Sequence, residues 1–331
     1  MLQYSNEKAY TFKGGRVNMV SISDVAKQAH VSKMTVSRVL NHPEQVSKEI
    51  FDTVQTAINE LGYVQNRAGR ALATNKSYTI AFVMLDEVAA VDPYFGQLVT
   101  YIADILNQAG YTMELHRSLD NDFHAIDGIL VSGARESDDA QLNALTYPLV
   151  TYGEQAGAAS VDVDNAAGIK LAKQHLVDAG YEQLIYLGLD LDEQFAQARL
   201  DGFLDSEIPV DQNNIYRIAN DDHIARSLVQ TLQLAPKTGI VAATDRLALG
   251  ALYACLIDQQ AVPQDVGIVG FDGIFIHQMG PLTLTTIAQP LERIAEAMVS
   301  QLLEQIEQPV RTNPHIVLTP ELQLGETTLH N

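Results

Sequence analysis

Between Ser32 and Arg38 the stretch SKMTVSR places Lys33, Met34, Ser37 and Arg38 on one side of a helical projection, with Val36, Val39 and Leu40 on the other. A guanidinium such as that of Arg38 can pair with two acceptors on a guanine edge. Lys33 and Met34, at the N-terminal end of the same helix, can enter a major groove with it. The hydroxyls of Ser32, Thr35 and Ser37 suit phosphate oxygens. This is the chemistry of duplex recognition; the bland alternative for the same spacing is a helical hairpin with a solvated basic face.

Those side chains need a rigid platform, and the flanking residues predict one. Ile22, Val25, Ala26 and Ala29 form an apolar stripe that breaks at His30-Val31, and Ser32 is a new N-cap. So short a turn makes the two helices cross steeply, which requires small residues at the contact, and Ala26 and Ala29 supply them. A third helix is predicted after Ser47, with Ile50, Val54, Ile58 and Leu61 on one face and Gly62 as its stop. Three short helices with one apolar face each make a minimal bundle.

Charge separates this head from the rest of the chain. Of a formal net charge of -20 over 331 residues, positions 1–76 carry ten Lys or Arg against six Asp or Glu, and positions 77–331 carry eleven against thirty-five. A basic head that meets a polyanion and an acidic body that repels it follow from that asymmetry. The single cysteine, Cys255, lies in an apolar helical pattern and rules out a disulfide framework. The longest apolar runs, such as TIAFVML at 79–85, fall short of a membrane span, so no membrane partner and a cytoplasmic location are expected.

The motifs DVAKQAHVSKMTVSRVLN (24–41), GYVQNRAGRALAT (62–74), VDVDNAAGIKLAKQHLVDAGY (161–181), ATDRLALGAL (243–252), VGIVGFDG (266–273) and LTTIAQP (284–290) together resemble the LacI/GalR family of bacterial transcriptional regulators. The match runs along nearly the whole chain in the family's order. It implies an all-α helix-turn-helix DNA-binding head at 20–65, a hinge helix and linker at 66–77, and an α/β periplasmic-binding-protein-like effector and dimerisation domain at 78–331. That domain has two doubly wound lobes, the first about 78–161 and 290–316, the second about 162–289 and 317–331. His30 departs from the family's Gly in the turn, where a left-handed backbone is tolerable for His.

For the hinge, the resemblance implies that Leu72 wedges into a minor groove while Asn66, Arg67 and Arg70 bind the groove or its phosphates. A flexible linker with an incidental Leu is the alternative. Gln65 replaces the family's Pro, and Gly69 within the helix costs about 1 kcal/mol relative to Ala, so the hinge is expected to depend on DNA and dimer contacts.

From residue 78 onward, apolar runs near 79–84, 111–116, 127–132, 148–152, 183–187, 239–243 and 266–270 alternate with amphipathic stretches, the pattern of parallel sheets with crossover helices. The resemblance places the effector between the lobes, with Asp92, Tyr94, Phe95 and Ser132 from the first, Arg199, Thr244, Asp245 and Asp272 from the second, and Gln289 at a crossing strand. Carboxylate and guanidinium groups pair with vicinal hydroxyls, and an aromatic face stacks on a sugar ring. Asp245 has a second reading as a helix cap, and Tyr94 and Phe95 as core. Between His116 and Ile126 only nine residues are available where the family has a crossover helix, and a parallel crossover needs about a dozen. An outer helix of the first lobe is therefore expected to be missing, and the dimer contacts remodelled.

The function so implied is repression of a carbohydrate-utilisation operon, through a pseudo-palindromic operator bound by a homodimer and relieved by a small sugar or sugar phosphate. A sugar receptor that has lost DNA binding and a corepressor-dependent regulator are the alternatives. An enzyme is disfavoured, because no G-x-G-x-x-G, P-loop or metal-spaced His/Cys cluster is present; no cofactor is expected. Residues 1–18 have no place in the family pattern. Lys13-Gly14-Gly15 can be encoded as a ribosome-binding sequence, so translation is expected to begin at Met19; a disordered basic arm is the other reading.

Overall fold

A computed structural model describes residues 20–63, 71, 74, 76–85, 93–120, 123–155, 157–205, 208–274, 278–308 and 313–329. The leader 1–18, Met19, the hinge positions Gln65, Asn66, Arg67, Gly69, Arg70 and Leu72, and Asp92 lie outside these residues. The chain divides into two compact units, Met1–Lys76 and Ser77–Asn331.

In the first unit α1 (Ile22–Gln28), α2 (Lys33–Asn41) and α3 (Lys48–Leu61) pack around Val25, Ala26, Ala29, Val36, Val39, Val54 and Ala57. Val25, Val36 and Val54 are fully enclosed, each contributing about 1.5–3 kcal/mol of apolar burial. The helix starts are set by local hydrogen bonds: the Asp24 carboxylate accepts from Ser21 N–H (2.9 Å) and Oγ (2.7 Å), and Ser32 Oγ accepts from Thr35 N–H (3.0 Å). His30 adopts φ +53°, the left-handed residue that turns α1 into α2, and Gly62 closes α3 at φ +62°. Ile50 differs from its expected inward position: it is 36% exposed, and Phe51, one step round the helix, packs on the core.

The second unit holds two six-stranded sheets. The first has the order β11-β5-β4-β3-β1-β2, with β1 (Thr79–Met84), β2 (Thr112–His116), β3 (Gly128–Ser132), β4 (Leu149–Tyr152), β5 (Ala159–Val163) and β11 (His315–Leu318), all parallel. The second has the order β12-β10-β9-β8-β6-β7, with β6 (Gln183–Leu189), β7 (Ile215–Ile218), β8 (Thr238–Ala242), β9 (Val266–Asp272), β10 (Thr285–Ala288) and β12 (Glu321–Gln323). Only β12 runs antiparallel to its neighbour. The crossover helices are α4 (Pro93–Gln108), α5 (Asp139–Ala144), α6 (Asn165–Asp178), α7 (Gln194–Leu204), α8 (Asp222–Thr231), α9 (Asp245–Ile257) and α10 (Leu291–Glu307). The chain passes between the lobes three times: from β5 into α6, from β10 into α10, and from β11 into β12.

Parallel strands are covered on both faces, so they read as near-continuous apolar runs. In β1, Ile80 and Phe82 face the main core while Ala81 and Val83 face a second cluster. That second cluster shows how the short 117–125 segment works. Its described residues, 117–120 and 123–125, contain no helix; Leu119 and Phe123 drop onto the sheet beside Ile126, Ile129, Val131 and Leu142. The Tyr147 hydroxyl donates to Phe123 O (2.8 Å) and pins the segment. Two inserted side chains cover the face that a crossover helix would otherwise cover, in keeping with the short spacing.

Sequence periodicity passes over β5, β7, β10, β11, β12 and α5, all of them six residues or fewer and interrupted by polar residues. Cys255 is buried on α9, and burial pushes its thiol up to about 12, which suits a packing residue rather than a nucleophile.

Candidate nucleic-acid interface and effector cleft

In the first unit Lys33, Met34 and Arg38 stand exposed on α2, with Met34 66% accessible. The apolar side of the same helix is spent on Val36 and Val39. Thr35 and Ser37 are half-buried at the flank, and Ser32 is exposed. Ser32 Oγ and Thr35 Oγ1 lie 2.9 Å apart, so both hydroxyls already share in the N-cap. This leaves Lys33, Met34 and Arg38 as the side chains projecting from a preformed helix, the arrangement a groove reader needs.

In the second unit the cleft between the sheets is lined by strand ends and helix starts. Tyr94 and Phe95 open α4 and meet edge to face, with ring centroids 5.3 Å apart. Ser132 ends β3, buried, and Tyr152 ends β4. The Tyr94 and Tyr152 hydroxyls are in hydrogen-bond contact, and each lies 3.0 Å from Gln289 Oε1. One phenolic proton therefore bridges the two rings and the other goes to the amide oxygen. Gln289 Nε2 in turn donates to Asp272 Oδ1 (2.8 Å), so this single side chain at a strand crossing joins polar groups of both lobes.

Arg199, on α7, is almost fully enclosed. Its Nε donates to Asn165 Oδ1 (2.9 Å) and its Nη1 to Ala243 O (2.6 Å), while Nη1 stands 3.7 Å from Asp272 Oδ1. The guanidinium plane is stacked on Phe271, Cζ lying 3.8 Å from the ring centroid. Asp272 itself sits at φ +125°, a conformation L residues rarely adopt, and Gly273 at +69°. A Cβ on Gly273 would come within 2.5 Å of Ala288, so the sequence GFDG holds the carboxylate over the cleft by a turn only glycine permits.

Asp245 is a correction. It is fully buried below the cleft surface: Oδ2 accepts from Gly273 N–H (3.0 Å) and Ile274 N–H (3.3 Å), and Oδ1 from the Thr286 hydroxyl (2.5 Å). It braces the strained turn that presents Asp272. Nor is it the helix cap, since Thr244 Oγ1 accepts from Leu247 N–H (3.2 Å) and donates to Asn220 Oδ1 (2.8 Å). Burial, reinforced by the Asp272 charge, holds the Asp245 carboxyl well above the ordinary carboxylate range.

The structure adds residues the sequence reading missed. Tyr152 is one, although its place at the carboxyl end of a parallel strand is where ligands bind in such folds. Asp162 and Asn165 are two more: Asn165 orients Arg199, and Asp162 is largely buried, its carboxyl raised by burial against the pull of His315 and Arg199. Asp162 lies in β5, and Asn165 opens α6 three residues later. At the cleft mouth Arg135, in the loop after β3, bridges to Glu193 at the start of α7 (3.0 Å), one residue from each lobe. A cavity of about 320 Å³ opens beside Gln289, between Gln97 and Tyr101 of α4 and Glu292 and Arg293 of α10. Among the described residues no His, Cys, Asp or Glu cluster could hold a metal ion, and no helix is long and apolar enough to cross a membrane.

A three-helix head with an exposed reading helix, joined to a two-lobed binding body, defines a ligand-responsive DNA-binding regulator. Residues 21–66 match the family model for bacterial regulatory proteins of the lacI family, and 173–328 that for the periplasmic binding protein-like domain. The chain is 34% identical to the uncharacterized HTH-type transcriptional regulator YvdE of Bacillus subtilis (strain 168), over 94% of this chain and all of that one. It is 30% identical to the ribose operon repressor of Halalkalibacterium halodurans, over 94% and 97% of the two chains. A crystal structure of the lac repressor dimer bound to operator and the anti-inducer ONPF superposes with TM-score 0.70 at 25% identity, covering 95% of this chain and 100% of the other. The chain belongs to the lacI family of bacterial regulatory proteins.

Proposed function

We propose that the protein is a homodimeric transcriptional repressor in the cytoplasm that releases a pseudo-palindromic operator when an uncharged sugar enters the cleft of its second unit. The observation that carries this is Gln289, whose amide joins the Tyr94–Tyr152 hydroxyl pair of one lobe to Asp272 of the other. A sugar offering vicinal hydroxyls to Asp272 and Arg199, with a ring face toward Tyr94 or Phe95, takes over those hydrogen bonds and thereby changes how the lobes meet. Ser132 at the end of β3, Asn165 at the start of α6 and Thr244 and Asp245 at the start of α9 are all buried and, with Asp162 of β5, back the cleft.

The charge balance favours an uncharged ligand. The groups that bear on the tyrosine pair are Arg199, Asp272 and Asp162, two carboxylates to one guanidinium, and that guanidinium is already bonded to Asn165 and Ala243. A phosphate dianion would face those two carboxylates, with the one enclosed guanidinium already committed to protein oxygens. The reading is of a binding protein, not an enzyme: the cleft groups hold and orient.

Operator contacts are assigned to Lys33, Met34 and Arg38 at base edges, to Ser32, Thr35 and Ser37 at phosphates, and to Asn66, Arg67, Arg70 and Leu72 of the hinge in the minor groove. The repressor sense and a sugar effector follow the relatives, among them a ribose operon repressor. Dimerisation is supported by an apolar surface on α9, where Tyr253, Leu256 and Ile257 are exposed. A two-fold axis would bury it against its own copy. Selection of duplexes from a random pool, followed by fluorescence anisotropy with a panel of neutral sugars and their phosphates, tests the proposal. A neutral sugar is expected to weaken binding to the selected duplex; a protein that selects none, or that responds only to phosphorylated sugars, contradicts it.

A further inference from the structure

The point where the chain enters the second unit is unusually constrained. Tyr78, the second residue of that unit, adopts φ +54°, a left-handed conformation that is rare for a bulky residue. One carboxylate holds it there. Asp127 Oδ1 accepts from Ser77 N–H (2.7 Å) and Ser77 Oγ (2.9 Å), and Oδ2 accepts from Tyr78 N–H (2.8 Å). The backbone closes round the same place: Thr112 N–H donates to Tyr78 O and Asp127 N–H to Thr79 O, each at 2.8 Å. The Tyr78 ring is buried against Tyr111, with centroids 5.5 Å apart.

Asp127 also has a direct connection to the cleft. It precedes β3, a fully buried strand whose other end is Ser132, about 16 Å away at 3.3 Å per residue. Ser132 pairs with Met84 at the carboxyl end of β1, beside the effector cleft. One central strand thus ties the lobe-1 wall of the cleft to the residue that grips the root of the linker.

We infer that Asp127 is a positioning residue for operator binding: it fixes the backbone at Ser77 and Tyr78, the root from which the linker leaves the effector body. The inference rests on the regulator reading above. Strained backbone persists only where its surroundings over-determine it, and it concentrates at switch points. Here three hydrogen bonds from one side chain supply that constraint at the boundary between the units.

The test uses the full-length protein and a duplex selected by it from a random pool, with a scrambled duplex as the non-specific probe. Asp127→Asn keeps the shape but turns an amide N–H₂ toward a donor, and is expected to weaken the selected duplex by about tenfold while leaving the scrambled duplex within about twofold. Ser77→Ala, which removes one of the three bonds and leaves the fold intact, is expected to cost about threefold on the selected duplex alone. Trypsin cleavage at Lys76 accelerates in both variants. If the variants bind the selected duplex as the parent does, or lose both duplexes equally with a lower melting temperature, Asp127 is merely structural and the inference is overturned. If the parent selects no duplex, the regulator reading fails first.

Discussion

The exposed face of α2 and the cleft of the second unit carry the two halves of the proposed function with opposite physics. On α2 the side chains that would touch DNA make few bonds to the protein and stand in solvent on a helix fixed from behind by Val36 and Val39. In the cleft almost every polar group is bonded to another: Tyr94 and Tyr152 to Gln289, Gln289 to Asp272, Arg199 to Asn165 and Ala243. An open face reads whatever polyanion approaches, with its selectivity coming from shape and base edges. A self-bonded cleft admits a ligand only if the ligand replaces bonds already made, so its selectivity is set by exchange.

The contrast is broken most strongly at Asp272. Asp272→Ala leaves the enclosed Arg199 short of its carboxylate and Gln289 Nε2 without its acceptor, and is expected to destabilise the second unit by about 3 kcal/mol. Urea unfolding should show that loss with no change in the melting of the head, and any sugar response should vanish. Arg38→Ala should do the reverse: stability unchanged within error, operator affinity down by about 1–3 kcal/mol with specificity relaxed at one base pair. An equal loss on all sequences would move Arg38 from base contact to phosphate contact.

The pH dependence sharpens the same contrast. Burial raises Asp245 and Asp162 in the folded chain, so folding favours their protonated forms, and that contribution is lost as pH rises through their elevated values. Asp24 in the head is lowered by its hydrogen bonds to Ser21 and works in the opposite sense, losing its contribution as pH falls through its depressed value. Melting of the second unit should therefore ease upward as pH drops toward the ordinary carboxylate range, and Asp245→Asn should flatten that slope; a variant with the parent's slope would locate the titration elsewhere. The smallest effect is expected for Glu193→Gln at the cleft mouth. The Arg135–Glu193 bridge is partly exposed, and its removal should change stability by less than about 1 kcal/mol and less still at high salt.

How much of this was legible in the sequence differs between the regions for the same physical reason. The head is built from local rules: a cap at Ser32, a stripe at helical spacing, small residues at the crossing, a left-handed His30 in the turn. Only Ile50 fell on the wrong side, because neighbouring apolar residues at positions 50 and 51 compete for one face and packing chooses. In the cleft, candidate residues at strand ends were named through motif resemblance, yet Asp245 and Asp272 look alike in sequence. One turned out to be a fully buried brace and the other a partner of Arg199, a distinction set by the φ of a single turn and by Thr286, 41 residues away in sequence. Tyr152 and Asn165 carried no local mark, since their roles exist only through Gln289 and Arg199.

The sequence by itself determined the class of the protein: a basic helical head, an acidic α/β body, and an exposed Lys33–Met34–Arg38 face on α2, because periodicity, caps and charge act over a few residues. Only the tertiary structure decided which carboxylate braces and which partners Arg199, that two apolar side chains cover the sheet where a crossover helix is missing, and that Asp127 grips the linker root 50 residues before it in the chain. Those outcomes depend on hydrogen-bond partners and packed neighbours that are distant in sequence, and no local pattern records them.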